Sequence, residues 1–129
     1  MAPELTKILC VEDETDIQAV AKVALEAVGK FTVHMCGSGQ EALDNLESFK
    51  PDLILLDVMM PGMDGPTTYN SIRDMADFEA VPIIFMTAKV MESDQNLYRS
   101  LGAAGIIAKP FDPMTLSAQI REIWVEHHE

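Results

Sequence analysis

Short apolar runs alternate with amphipathic stretches along the whole chain. The first run is Ile8-Leu9-Cys10-Val11. Residues 15–28 then place Ile17, Val20, Ala21, Ala24, Leu25 and Val28 at helical spacing, and Gly29 stands where a C′ residue closes such a helix. A second strand is predicted over residues 31–36. Ser38 and Glu41 form an S-x-x-E pair that opens a second helix, which Pro51 breaks off. Leu53-Ile54-Leu55-Leu56 is apolar without alternation, as in a strand buried on both faces of a parallel sheet, and it stops at Asp57. A turn-rich segment follows, Pro61-Gly62-Met63-Asp64-Gly65-Pro66, and a third helix is predicted over about 64–75. Pro82 opens the fourth strand, Ile83-Ile84-Phe85-Met86, which ends at Thr87. Residues 92–101 read as a fourth helix stopped by Gly102, and residues 105–108 as a fifth strand before Lys109-Pro110. Asp112 and Pro113 fit the cap and first position of a last helix carrying Leu116, Ile120, Ile123 and Trp124.

Five βα units with short connections predict an α/β fold, a doubly wound parallel sheet with helices on both faces. The 129 residues are the size of one domain, and residues 1–129 are expected to form a single unit. There is no internal repeat or linker. The chain ends with the fifth helix, so no attached effector domain is expected.

Composition narrows the function. Hydrophobic residues at 48% and charged residues at 23% are ordinary for a folded globule. No apolar run reaches the ~18 residues needed to span a bilayer, and the first residues lack a signal-peptide core, so a cytoplasmic protein without membrane contact is expected. The net charge of −12 disfavours phosphate backbones and anionic membranes, which argues against direct nucleic-acid binding. Cys10 and Cys36 match no zinc motif and no disulfide framework, and both fall in predicted strands, as buried free thiols do.

In a doubly wound sheet, ligands bind beyond the carboxyl ends of the strands. Glu12, Asp13 and Glu14 follow the first strand, Asp57 ends the third, Thr87 the fourth, and Lys109 follows the fifth. Any strand order that sets strands one and three side by side crowds the acids together. Such carboxylates need a proton or a cation among them, and hard oxygen donors suit Mg²⁺ or Mn²⁺. An ionised Asp57 is a competent nucleophile toward phosphorus. The Lys109 ammonium and the Thr87 hydroxyl can meet phosphoryl oxygens. Taken singly, Asp57 could be a turn residue, the Glu12-Asp13-Glu14 acids a helix-dipole feature, and Thr87 and Lys109 ordinary strand-end groups. Together they make a site for phosphoryl transfer to aspartate.

Four motifs occur in order: Val11-Glu12-Asp13; Leu56-Asp57 through Met63-Asp64-Gly65; Met86-Thr87-Ala88; and Gly102-Ala103 through Lys109-Pro110-Phe111. In these the chain resembles the receiver domains of bacterial two-component response regulators, including the free-standing chemotaxis-type regulators, over roughly residues 7–125. The resemblance implies a flavodoxin-like (βα)5 sheet with strand order 2-1-3-4-5. It implies Asp57 as phosphoacceptor from a phosphohistidine of a sensor histidine kinase or a histidine phosphotransfer protein. Asp13 and Asp57 would ligate the Mg²⁺ directly, Glu12 through water, and Met59 through its backbone carbonyl. Thr87 and Lys109 would bind the phosphoryl group, and the Lys109-Pro110 peptide would be cis. Such a protein is not an enzyme on separate substrates; it catalyses only its own phosphorylation and slow autodephosphorylation. Phosphorylation would switch protein–protein contacts with a downstream target. The alternatives within this reading are a relay that passes the group to a histidine phosphotransfer protein, or a partner-binding pseudo-receiver. Homodimers through the face of helix four, strand five and helix five also occur in such proteins.

One position departs from the family pattern. Three residues before the lysine stands Ile106, where the family often carries Tyr or Phe. Met59 and Lys89, which flank the site, offer no carboxylate or amide to orient an attacking water, so a long-lived phosphoryl group is expected. Two rivals fit less well. A haloacid-dehalogenase-type phosphatase needs a second acid where Met59 stands, and a flavodoxin-like electron carrier would not place three acids against a flavin phosphate.

Overall fold

The computed structural model describes residues 3–129. The strands are β1 (Lys7–Val11), β2 (Thr32–Cys36), β3 (Leu53–Asp57), β4 (Ile83–Thr87) and β5 (Gly105–Ala108). The helices are α1 (Thr15–Lys22), continued by a π-helical turn (Val23–Val28), then α2 (Gly39–Phe49), α3 (Gly65–Arg73), α4 (Glu92–Leu101) and α5 (Leu116–His127). A short 3₁₀ turn, Ala76–Phe78, precedes β4. The sheet is parallel throughout, in the order β2-β1-β3-β4-β5. Strand order therefore reverses between β1 and β3, which opens the crevice where ligands bind in such sheets.

The alternation of side chains across the strands divides the core in two. Ile54 and Leu56 of β3 join Leu9, Val11 and Phe85 on one face, under Ala42 and Leu46 of α2, Tyr69 and Ile72 of α3, and Tyr98 of α4. Leu53 and Leu55 join Ile8, Cys10 and Ile84 on the other face, under Ala21 of α1 and Leu116, Ile120 and Trp124 of α5. Every residue of β3 and β4 is buried, which is why these strands show no polar alternation. Both cysteines are free and buried, as the sequence predicts.

The structure corrects several local expectations. Gly29 does not close its helix in the left-handed conformation. Its φ is −85°, and Lys30 carries the positive φ of 64°. Gly29 is required instead by packing, because a Cβ there would lie 2.1 Å from the Ser117 hydroxyl oxygen on α5. Of the apolar residues at helical spacing, Val20 and Val28 are 41% and 38% exposed. The Ser38–Glu41 pair is offset by one residue: the Glu41 N–H donates to the Ser38 hydroxyl at 3.1 Å, but the Glu41 carboxylate accepts from the Gly37 N–H at 2.9 Å. Helix α3 stops at Arg73, two residues early, and Asp64 caps its start by accepting from the Thr67 N–H at 2.9 Å. Asp112 caps a turn that precedes α5, not α5 itself, so Pro113 is not the first helical residue.

Candidate functional site

The carboxyl ends of β1, β3, β4 and β5 bring the predicted residues to one edge of the sheet. Glu12 follows β1 directly, and its N–H donates to the Cys36 carbonyl of β2 at 2.9 Å. The Gln18 amide of α1 donates to the Glu12 carbonyl at 2.6 Å, so the backbone of Glu12 is held from two sides. Its carboxylate is fully buried, with Oε2 accepting the Glu14 N–H at 3.0 Å. Asp57 ends β3 at 1% exposure, and its Oδ1 faces the Met59 N–H at 3.4 Å. Met59 itself lies on the loop beside Asp57 with its side chain exposed.

Lys109 reaches into this acidic cluster from the end of β5. Its Nζ lies 2.8 Å from Glu12 Oε1 and 3.2 Å from Asp57 Oδ1. The Lys109 N–H donates to the Thr87 carbonyl at 2.9 Å, and the following Lys109-Pro110 peptide is cis. Thr87 is buried at the end of β4, and its hydroxyl oxygen accepts the Lys89 N–H at 3.0 Å, which leaves its proton free to donate elsewhere.

Charge balance at the site is incomplete. Glu12, Asp13 and Asp57 each offer an oxygen within 4.8 Å of the others, against one ammonium. Burial first, and then the Glu12 charge, push the Asp57 carboxyl up to about 7, against the opposing pull of Lys109. Burial pulls the Lys109 ammonium down, but its hydrogen bond to Glu12 and the Asp57 charge outweigh that and hold it above its ordinary value. Two carboxylate oxygens, Asp13 Oδ1 and Asp57 Oδ2, are buried with no hydrogen-bond partner. Unpaired buried acceptors are costly, and hard oxygens this close together answer that cost with a divalent cation. The donor set therefore fits Mg²⁺ or Mn²⁺.

The position of Ile106 is also resolved. Ile106 lies opposite Phe85 in the β4–β5 register and packs, half-buried, on the α2–α3–α4 face of the core. The aromatic packing on that face comes from other elements. The Phe85 ring contacts Tyr98 of α4 at 5.3 Å and Tyr69 of α3 at 5.7 Å between centroids.

A parallel sheet carries acids at its switch point, a lysine after the last strand and a hydroxyl at the end of β4. The comparisons make the class specific. The sequence profile of the response regulator receiver domain matches residues 8–121. Response regulator Rre1 of Synechocystis sp. is 33% identical over 120 residues, covering 93% of this chain and 52% of that protein. The alkaline phosphatase synthesis transcriptional regulatory protein PhoP of Bacillus subtilis is 39% identical over 117 residues, covering 91% of this chain and 48% of that protein. The structure of chemotaxis protein CheY4 of Vibrio cholerae superimposes with a TM-score of 0.85 at 28% identity, covering 93% of this chain and 99% of that one. The chain belongs to the response regulator receiver domain family of two-component systems. It spans about half the length of the curated relatives it matches.

Among the described residues, no helix is long and apolar enough to cross a membrane. Sequence reasoning placed Glu12, Asp13, Asp57, Thr87 and Lys109 at one edge, and the structure sets Lys109 against Glu12 and Asp57, with Asp13 within 4.8 Å of both acids. It missed Gln18, whose only sequence signal is a polar residue on the α1 face that follows the acids.

Proposed function

We propose that Asp57 accepts a phosphoryl group from a phosphohistidine and that this modification switches the protein's contacts with a partner. The observation that carries the reading is the unpaired, buried Asp57 Oδ2 beside an equally unpaired Asp13 Oδ1, while Lys109 neutralises the opposite side of the same carboxylate. Asp13 and Asp57 would hold Mg²⁺ directly, Glu12 through water and Met59 through its carbonyl. When bound, Mg²⁺ supplies the positive charge that screens the acids from an incoming phosphoryl group.

The chain's own residues do the rest. An Asp57 oxygen attacks phosphorus, the P–N bond to the donor imidazole breaks, and the electron pair leaves with that nitrogen, which then takes up a proton. The Lys109 ammonium, already 3.2 Å from Asp57, follows the charge onto a phosphoryl oxygen, and the Thr87 hydroxyl donates to another. A protein donor has a place to seat: a cleft of about 420 Å³, lined by Ile17, Val20, Ala88, Pro110 and Phe111, opens beside Lys109. The donor is a sensor histidine kinase or a histidine phosphotransfer protein, and the phosphorylated form acts on a target protein or passes the group on.

The test is incubation with Mg²⁺ and acetyl phosphate followed by intact mass, with Asp57→Asn alongside. A single phosphoryl adduct that requires Mg²⁺ and is absent from the variant is expected. An adduct on the variant, or none on a folded, Mg²⁺-bound wild type, overturns the assignment.

A further inference from the structure

A second group of ligand atoms lies at the edge of the sheet, away from the acidic cluster. His34 and Cys36 alternate along β2, so both side chains point to the face that α2 covers, and Glu41 stands in the first turn of that helix. One ligand atom from each of the three lies within 4.8 Å of the other two. The donor types differ from those at the Asp57 site. There, three carboxylates suit a hard ion; here, imidazole, thiolate and a single carboxylate are the donors that favour Zn²⁺.

The surroundings are compatible with a bound ion. Glu41 spends one oxygen, Oε1, on the Gly37 N–H at 2.9 Å, which fixes the carboxylate and leaves Oε2 to bind. The His34 ring is braced against Phe49 at 5.4 Å between centroids, which orients it without using a ring nitrogen. Cys36 is buried at the base of the group, while His34 is half-buried and Glu41 exposed, so the cluster opens outward through Glu41. Tetrahedral zinc sets its ligand atoms about 3.3–3.8 Å apart. The three ligand atoms, within 4.8 Å of one another, would draw together on binding.

We propose that His34, Cys36 and Glu41 form a Zn²⁺ site with water as fourth ligand, separate from the Mg²⁺ site. It lies one backbone hydrogen bond from the acids, since the Cys36 carbonyl holds the Glu12 N–H. Binding replaces the Cys36 thiol proton with a metal–sulfur bond and releases that proton to solvent.

Co²⁺ serves as a spectroscopic substitute for Zn²⁺, added to the full chain in excess Mg²⁺ so that the acidic cluster is occupied. One equivalent is expected to give a thiolate-to-cobalt charge-transfer band and tetrahedral d–d bands, both abolished by added Zn²⁺. The charge-transfer band is lost in Cys36→Ser and kept in Cys10→Ser and Asp57→Asn. Glu41→Gln, an exposed change that leaves the fold intact by circular dichroism, weakens Co²⁺ binding at least tenfold and covers the case in which Cys36→Ser does not fold. The proposal is overturned if no thiolate band forms, if the band follows Cys10, or if Glu41→Gln binds as wild type. Loss of binding in Asp57→Asn also overturns it, because the ion then sits among the acids. Binding without a thiolate band does so too, since it points to the exposed terminal His127.

Discussion

Lys109 Nζ and Glu12 Oε1, ninety-seven residues apart in sequence, stand 2.8 Å apart at the end of the sheet. The contact joins β5 to β1 across the whole site and sets the Lys109 ammonium against the buried acids. Because Glu12 is fully buried and Asp57 almost so, removing the ammonium leaves the Glu12 carboxylate without a cation in a poorly solvated crevice.

Lys109→Met is therefore expected to destabilise the metal-free protein by about 2 kcal/mol. Added Mg²⁺ recovers part of the loss, because it supplies the charge that the lysine gave. Urea unfolding with and without Mg²⁺ measures both effects. An unchanged midpoint in the metal-free variant would show that the contact contributes nothing.

Gly65 fixes the loop that carries Met59. A Cβ at this position would lie 2.7 Å from the Asp57 carbonyl oxygen and 2.7 Å from Val58 Cα, and backbone atoms cannot swing aside. The Gly65 N–H also donates to the Val58 carbonyl at 2.9 Å, which pins the start of α3 against the end of β3. Gly65→Ala is expected to cost about 1–3 kcal/mol and to weaken Mg²⁺ binding by displacing the loop beside Asp57. Denaturation and a Mg²⁺ titration test it together, and a variant matching wild type in both would refute the close-contact argument.

These relationships mark the boundary of what the sequence could tell. The unbroken apolar runs of β3 and β4 announced a doubly covered sheet because both faces of those strands are buried. The candidate residues were legible because each stands directly after an apolar run, and parallel strands deliver such positions to one edge. Pairings across the sheet were not legible: nothing local to Lys109 says that it binds Glu12. Gly29 was misread because its role is set by Ser117, eighty-eight positions on, and not by its own helix end. The exposure of Val20 was not legible, because helical spacing records a stripe without saying where a neighbouring helix stops, and here it borders the cleft beside Phe111. Asp112 was misread because the same side-chain bond that caps a helix also caps a single turn.

On the proposed function, the lifetime of the phosphorylated form would follow from what flanks the site. Met59 is 64% exposed and carries a thioether, a poor acceptor. Lys89 offers only donors, and its backbone N–H is already committed to the Thr87 hydroxyl. Neither can accept a proton from an attacking water. Slow autodephosphorylation is expected, over minutes or longer. Met59→Asn supplies an amide oxygen at the surface without touching the core and is expected to speed hydrolysis roughly tenfold. Decay of the phosphoryl adduct by intact mass gives both rates, and a wild-type lifetime of seconds would sink the reading.

Asp57 sets the pH response of the metal-free protein. Its carboxyl is raised from 3.8 to about 7, by burial first and by Glu12 second. The folded state thus keeps a proton that the unfolded chain releases between those two values. Stability from this group is fully present below the unfolded value and is lost as pH rises through about 7. Lys109 is raised as well, so its contribution holds steady below its ordinary range and does not cancel the trend. Asp57→Asn cannot ionise, so wild type should lose stability relative to it as pH climbs from about 4 to about 7, with no further change above. The difference should reach at least about 1 kcal/mol at the upper end. Mg²⁺ competes with the same proton, so its affinity should climb with pH up to about 7 and level off above. Denaturation of both proteins across this range, with and without Mg²⁺, separates the effects. If the gap between wild type and Asp57→Asn stays constant with pH, the proton is not on Asp57, and the balance of charge at the site must be drawn around Glu12 and Lys109 alone.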